Sequence, residues 1–413
     1  MMIVLRIGIF FTFIALLFLT QRFWFMSAWR LIAEITRPGL RNALQITWVC
    51  ALIVFVLAFF DPLLGHVLDK VGGGKWIIAA ARIWLVASIF AFLAVQLMHG
   101  AGWIYGLIAS GASAPVNESR RNFFRYAGYI AGGIPIVAAI YGFAAGRLKY
   151  SVERVEVPIA NLPKELDGFK IAQLSDIHIG DFMPREEVRR AVNIANDLKP
   201  DLAVVTGDFI SSEFDPLGDC IAELSKLRAP LGTWGCNGNH EIYADAEGAA
   251  QQLFQQHGMK LLRQENVQLD WRGAKLNLIG VDYQRDRMTR GPAGPMLQGV
   301  ELLISREHPN ILLSHNPNSF HRAAEMGIEL SLAGHTHGGQ VKVEIVDHSF
   351  SPARLITDFV AGLYHLPMGK SSSGENGNGK KAALYVNRGL GTFGVPVRIG
   401  VLPEITLLTL RSA

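Results

Sequence analysis

The chain has 413 residues, of which 50% are hydrophobic and only 18% charged, an average too apolar for one ordinary soluble enzyme. Residues 1–146 hold 11 Lys/Arg against 4 Asp/Glu, a net +7, whereas residues 147–413 hold 28 against 31, a net −3. The positive excess lies between apolar runs, so the overall +4 gives no ground to expect nucleic acid as a partner, and three cysteines without a CxxC pair exclude a cysteine-based zinc site.

A helix crossing hydrocarbon needs roughly 20 mostly apolar residues, because its backbone must satisfy its own hydrogen bonds there. Residues 3–20, 46–64, 76–98 and 126–146 meet that requirement and predict a transmembrane bundle of about four helices within residues 1–149. Arg82 stands near the start of the third run, where it can snorkel. The fourth run is rich in Gly and Ala, which suits close helix packing. Residues 101–112 are apolar but short, either an interfacial segment or an extension of the third span.

The first connecting loop is read as carrying Arg22, Arg30, Arg37 and Arg41 against Glu34, and the third as carrying Arg120, Arg121 and Arg125 against Glu118. The positive-inside rule keeps both in the cytoplasm. The expectation is a multi-pass inner-membrane protein whose C-terminal domain lies on the periplasmic or extracellular side. Residues 119–124 (SRRNFF) also resemble a twin-arginine export signal, here internal rather than N-terminal. An ordinary positive-inside flank explains the same arginines equally well.

From residue 150 to 413 the texture is α/β. Strands are expected at 169–174, 202–206, 231–236, 276–281, 311–314, 329–333, 382–386 and 405–410. Helices are expected at 184–199, 216–228 and 246–257; the first shows Val188, Ala191, Val192, Ala195 and Leu198 on one face, with Pro184 in its first turn and Pro200 past its end. Residues 371–380 (SSSGENGNGK) read as a flexible surface loop. Cys220 and Cys236 are read as two buried free thiols rather than a pair.

Polar blocks follow the strands: Asp176-Ile177-His178, Gly207-Asp208, Gly238-Asn239-His240-Glu241, Ser314-His315-Asn316 and Gly334-His335-Thr336-His337-Gly338-Gly339. Ligands in α/β folds bind at the carboxyl ends of strands, so five such blocks can converge on one site. Imidazole, carboxylate and amide oxygen suit divalent Mn, Fe or Zn. Asp176 and His178, like His335 and His337, are two residues apart and can point the same way from extended backbone. A lone Asp-x-His or Gly-Asp means little, whereas all five blocks in this order exclude coincidence. His257, His308, His321, His348 and His365 match no block and are read as surface or packing residues.

These blocks resemble those of the calcineurin-like metallophosphoesterases, over roughly residues 168–410, and most closely the bacterial membrane-associated members, whose ending is similar to Asn387-Arg388-Gly389-Leu390-Gly391-Thr392, then Pro396, Arg398 and Pro403-Glu404. The resemblance implies a four-layer domain, two packed mixed β-sheets flanked by helices, with two divalent metal ions. It implies that Asp176, His178, Asp208 and His337 hold the first metal and Asp208, Asn239, His315 and His335 the second. His240 would face the phosphate and assist the leaving group as the catalytic residue. Two departures stand out: Ser211 and Ser212 occupy the place of an acid that many members carry, and Glu241 replaces an Asp.

The reaction so implied is hydrolysis of a phosphodiester or pyrophosphate by a hydroxide bridging metals about 3.5–4 Å apart, on a lipid or envelope phosphate ester, with the bilayer as partner. Two alternatives remain at this level: a cytoplasm-facing UDP-2,3-diacylglucosamine pyrophosphatase of lipid A synthesis, and a non-catalytic membrane sensor. Specificity is expected in loops 283–298 (with Arg285, Arg287 and Arg290) and 351–380.

Overall fold

The computed structural model describes residues 2–61, 67–68, 71–109, 118–284, 296–341, 343–345, 348–350, 352–355, 357–369 and 380–413. Arg285, Arg287, Arg290 and most of the 371–380 tract lie outside the described residues. The chain divides into two compact units, Met1–Phe143 with Gly394–Pro396, and Ala144–Phe393 with Val397–Ala413.

Among its described residues the first unit contains four helices: α1 (Met2–Ala33), α2 (Pro38–Phe59), α3 (Gly74–Ala109) and α4 (Glu118–Ala144). Pro38 occupies the first turn of α2, where its missing N–H has no intrahelical partner to lose. Over the described residues, Pro38–Ala58, Gly74–Ile108 and Arg121–Leu148 are long and apolar enough to cross a membrane. The expected 3–20 span lies inside α1, but many of its side chains fall outside the described residues. Of the two readings of residues 101–112 the extension of the third span holds, and the reading of the first loop is corrected. Residues 101–109 continue α3 without a break, making a helix of 36 residues, about 54 Å long at 1.5 Å per residue and well beyond a ~30 Å hydrocarbon core. Arg22 and Arg30 lie on α1, so the first loop shrinks to residues 34–37.

Close packing within this unit follows from its small and polar residues. A Cβ on Gly132 of α4 would stand 2.8 Å from Val95 Cγ2 of α3, so the glycine lets the two helices approach. Gln21 of α1 donates to Ser88 Oγ at 2.9 Å and accepts from Trp84 Nε1 at 3.0 Å, tying α1 to α3 by hydrogen bonds where water is scarce.

The second unit contributes strands β1 (Ser151–Ile159), β2 (Lys170–Leu174), β3 (Leu202–Thr206), β4 (Thr233–Cys236), β5 (Lys260–Leu261), β6 (Glu265–Trp271), β7 (Ala274–Gly280), β8 (Asn310–Leu313), β9 (Leu330–Ala333), β10 (Val343–Ile345), β11 (His348–Phe350), β12 (Gly362–Pro367), β13 (Lys381–Val386) and β14 (Glu404–Ser412). Its helices are α5 (Arg185–Asp197), α6 (Leu217–Leu224), α7 (Asn239–Tyr243), α8 (Glu247–Gln256) and α9 (Phe320–Glu325). One six-stranded sheet runs β1-β14-β2-β3-β4-β5, the other β12-β13-β9-β8-β7-β6, and β10 and β11 form a separate hairpin. β2 to β5 are parallel, as are β7, β8, β9 and β13, while β14 against β2, and the edge strands β6 and β12, run antiparallel to their neighbours.

The period-two alternation of the strands decides the layers. Leu202 and Val204 of β3 join a core with Leu278, Ile311, Leu313 and Leu332 of the opposite sheet. Ala203 and Val205 point the other way, onto Val188, Val192, Ile221 and Phe254 of α5, α6 and α8. Leu312 of β8 turns outward to Ala323 and Ile328. The parallel strands are buried on both faces, which is why they read as unbroken apolar runs in the sequence. The outcome is the expected arrangement of helices, sheet, sheet and helices. Cys220 and Cys236 are buried free thiols.

Candidate metal centre

The polar blocks sit at the carboxyl ends of five parallel strands, three in one sheet and two in the other. β2 delivers Asp176 and His178, β3 delivers Asp208, and β4 leads into α7 with Asn239 and His240 in its first turn. From the second sheet, β8 delivers His315 and β9 delivers His335 and His337. Because the two sheets face each other, both sets of ends open on one place. Among the described residues, three groups have ligand atoms mutually within 4.8 Å: Asp176 with His178 and His337; His178 with Asp208 and His240; and Asp208 with His315 and His335. Asp208 is shared: its Oδ2 lies 3.6 Å from His178 Nε2 and 3.0 Å from His315 Nε2. Of the eight residues expected at the site, seven form these groups. The eighth, Asn239, is buried nearby with an Oδ1 that accepts no hydrogen bond.

The backbone here is bent where non-glycine residues resist bending. Asp176, His178, Asp208, His335 and His337 all have φ between 49° and 74°, a left-handed conformation that few non-glycine residues adopt. Such residues cost of order 1–3 kcal/mol each and persist only where the surroundings over-determine them. The surroundings do so: Asp176 N–H donates to Gly207 O at 3.0 Å, His178 N–H donates to Asp208 O at 3.0 Å, and His335 N–H donates to the Asp176 carboxylate at 3.0 Å.

Further hydrogen bonds orient the imidazoles. His178 Nδ1 lies 3.1 Å from Ile210 O, His315 Nδ1 2.5 Å from Thr206 O, and His240 Nδ1 2.9 Å from Ser211 O. A carbonyl can only accept, so each Nδ1 carries a proton and each Nε2 is left to face the site. His178 Nε2 and His337 Nε2 stand 3.1 Å apart. Asn239 Oδ1, His315 Nε2 and His337 Nδ1 are buried without a hydrogen-bond partner of proper geometry. Buried polar atoms converging without hydrogen-bond partners fit a cation site, and the mixed imidazole, carboxylate and amide ligand set fits a divalent one.

The charge states agree. Burial pushes His178 down to about 3 and holds His337 well below its ordinary value, so both rings are neutral as ligands must be. Burial raises the Asp176 carboxyl to about 6, with Asp208 adding to the rise and His315 opposing it. Burial would raise Asp208 too, but His315, His240 and His178 hold it well below the usual carboxylate range. Burial would lower His315, yet Asp208 and Asp176 lift it to about 10. A bound cation would neutralise the same two carboxylates and displace that proton.

Two residues matter more than their sequence signal indicated. Glu241, which looked like a departure, is fully buried and accepts the N–H groups of Asp208 (2.9 Å), Phe209 (2.8 Å), Ile210 (3.3 Å) and Gly238 (2.8 Å). It clamps the β3 loop to the β4 loop. Its carboxyl is raised to about 7, first by burial and then by Asp208. Glu241→Ala strands those donors in a dry interior and is expected to destabilise by about 3 kcal/mol or more; a thermal melt of the purified protein checks it. Arg398 is equally buried, and its guanidinium donates to the carbonyls of Arg388 (2.8 Å) and Gly389 (3.0 Å) and to that of Gly391. That loop in turn donates Leu390 N–H to Ser175 O at 3.0 Å and Gly391 N–H to Asp176 O at 2.7 Å, bracing the first block. At the other departure, Ser211 and Ser212 donate their N–H groups to Asp215 at 2.8 and 2.9 Å. Of the histidines outside the blocks, His257, His321 and His365 are exposed and His308 half-buried; the side chain of His348 is outside the described residues.

The family description calcineurin-like phosphoesterase matches residues 169–339. A bovine transmembrane protein with metallophosphoesterase domain is 32% identical over 341 residues, covering 80% of this chain and 72% of that one. The zebrafish protein of the same description is 32% identical over 295 residues, and this chain spans only 62% of its length. A Bacillus subtilis metallophosphoesterase, YkuE, is 31% identical over 300 residues, covering 71% of this chain and 98% of that protein. With the blocks assembled at the sheet ends and these relatives alongside, the chain belongs to the calcineurin-like metallophosphoesterases, metal-dependent phosphoester hydrolases.

Proposed function

We propose that this chain is a membrane-anchored phosphohydrolase using two divalent cations, Mn, Fe or Zn, to split a phosphodiester or pyrophosphate on a lipid or envelope substrate. The observation that carries the proposal is the sharing of Asp208 between neighbouring ligand groups, with an unpartnered Asn239 amide oxygen beside them. Asp176, His178, Asp208 and His337 would hold one cation; Asp208, Asn239, His315 and His335 would hold the other. Bound there, the cations would polarise the phosphoryl oxygens and lower the pKa of water toward neutrality.

The chain's own part is orientation and proton supply. Asp208 Oδ1 accepts the N–H of His240 at 3.0 Å, so the residue at the centre of the ligand groups also fixes the start of α7. With Nδ1–H held by Ser211 O, His240 presents Nε2 to the site. A proton on that atom serves the departing oxygen as a general acid. The test is hydrolysis of a panel of phosphodiesters, pyrophosphates and phospholipids by the detergent-solubilised chain with each metal. Turnover of none of them by metal-loaded protein removes the proposal.

The outward placement of the catalytic domain rests on Arg121 and Arg125 in the first turns of α4, with Arg120 beside them in sequence, against the lone acid Glu118. An alkaline phosphatase fused after Ala413 is expected to be active and a green fluorescent protein there dark. The reverse pattern would place the domain in the cytoplasm and revive a nucleotide-linked substrate.

A further inference from the structure

Single exposed apolar side chains are ordinary, but exposed apolar side chains grouped beside a polar site mark a binding surface. Among the described residues of the second unit, four large hydrophobics are exposed: Phe214 (68%), Tyr243 (58%), Leu302 (90%) and Phe393 (52%). Two of them lie on His240. The Phe393 ring centre is 4.6 Å from that of His240 in an edge-to-face contact, and 6.0 Å from that of His178. Tyr243 is 6.0 Å from His240, also edge-to-face. Two of the four exposed apolar side chains thus lie against the histidine that faces the phosphate in the proposed function.

Phe393 is held in place rather than left at a loop tip. Gln340 accepts the Phe393 N–H at 2.6 Å and donates its amide to the Phe393 carbonyl at 2.9 Å. Gln340 itself has a φ of 52°, the strained conformation found at the ligands just before it. The two hydrogen bonds hold the Phe393 backbone beside the site while its ring stays exposed.

We propose that Phe393 and Tyr243 form an apolar clamp for the alcohol arm of the phosphoester, selecting substrates whose leaving group is hydrophobic. The proposal rests on the phosphohydrolase reading above. The occupant is identified by continuity: both rings flank the histidine that faces the phosphate, so what they cover is bonded to that phosphate. Ring edges and faces receive an alkyl chain or a flat ring alike, and the two sources are separated by the probes chosen.

The experiment titrates the detergent-solubilised, Mn²⁺-loaded chain with methyl-, hexyl- and phenylphosphonate by calorimetry. Wild type is expected to bind the hexyl or the phenyl compound about ten- to a hundredfold more tightly than the methyl compound, the span that burial of one apolar group supplies. In the F393A/Y243A double variant that preference should collapse to about threefold or less. Partition of the probes into micelles is common to both proteins and cancels in the ratio. Both side chains are more than half exposed, so the truncations should leave the melting temperature unmoved, which is checked alongside. A hexyl preference points to a lipid arm, a phenyl preference to an aromatic one. Binding of methylphosphonate with no wild-type preference, or a preference that survives both truncations, overturns the clamp and leaves the hydrolase reading standing. Binding of no phosphonate together with hydrolysis of no ester overturns both.

Discussion

Asp208→Asn is expected to abolish most turnover, by about a thousandfold, and to lower the bound metal while leaving the fold intact. The carboxylate does three things at once. Its Oδ1 accepts the His240 N–H at 3.0 Å, and its Oδ2 lies 3.0 Å from His315 Nε2 and 3.6 Å from His178 Nε2. The amide keeps the shape and one acceptor, so α7 still starts correctly. It loses the negative charge that draws cations to both ligand groups, and its NH₂ cannot act as a ligand. Elemental analysis of purified variant and wild type, with circular dichroism to confirm folding, separates metal loss from unfolding. Near wild-type turnover in Asp208→Asn would end the assignment.

Gly238→Ala should be as damaging by a different route. A Cβ at position 238 would stand 2.1 Å from Asp208 Oδ1 and 2.5 Å from Asp208 N, far inside van der Waals contact. Neither atom can yield: one belongs to the backbone, and the other is fixed by the His240 N–H. The loops after β3 and β4 must separate, breaking the Glu241 bond to Gly238 N–H as they do. A loss of about 3 kcal/mol or more is expected, a fall of roughly 6–12 °C in melting temperature for a domain of this size. Gly218→Ala is the control, since nothing lies within 4 Å of a Cβ there and it sits in α6; it should be neutral or slightly stabilising. Equal melting temperatures for Gly238→Ala and Gly218→Ala would show that the close approach of the two loops carries no stability.

Much of this was legible in the residue order because the signals are local. An apolar run declares a buried strand or a membrane-length helix, and each strand end is followed at once by the residues it will carry. Hence β2, β3, β8, β9 and their Asp, Asn and His blocks could be read directly, together with α5 from its one-sided apolar face. The limits appear where the signal is weak or long. β1 pairs in parallel with β14, Ser151 against Glu404, at the sheet edge; its apolar alternation is confined to Val155, Val157 and Ile159, after a charged start that masks it. The extent of α1 beyond residue 20 was missed, and that of α3 left between two readings, because a helix runs on through residues that no membrane requires.

What the sequence by itself determined is the chemistry: which side chains are offered, in what order, and after which strands. The tertiary structure alone decided how they meet. His178 and His337 are 159 residues apart in the chain, and their Nε2 atoms stand 3.1 Å apart only because two separate sheets stack face to face. The same holds for Glu241, whose role lies in four N–H groups gathered from two loops, and for Phe393, brought onto His240 by Gln340. Periodicity records which face of an element is apolar; it carries no record of which distant element will cover that face, since that is decided by the packing of the whole core.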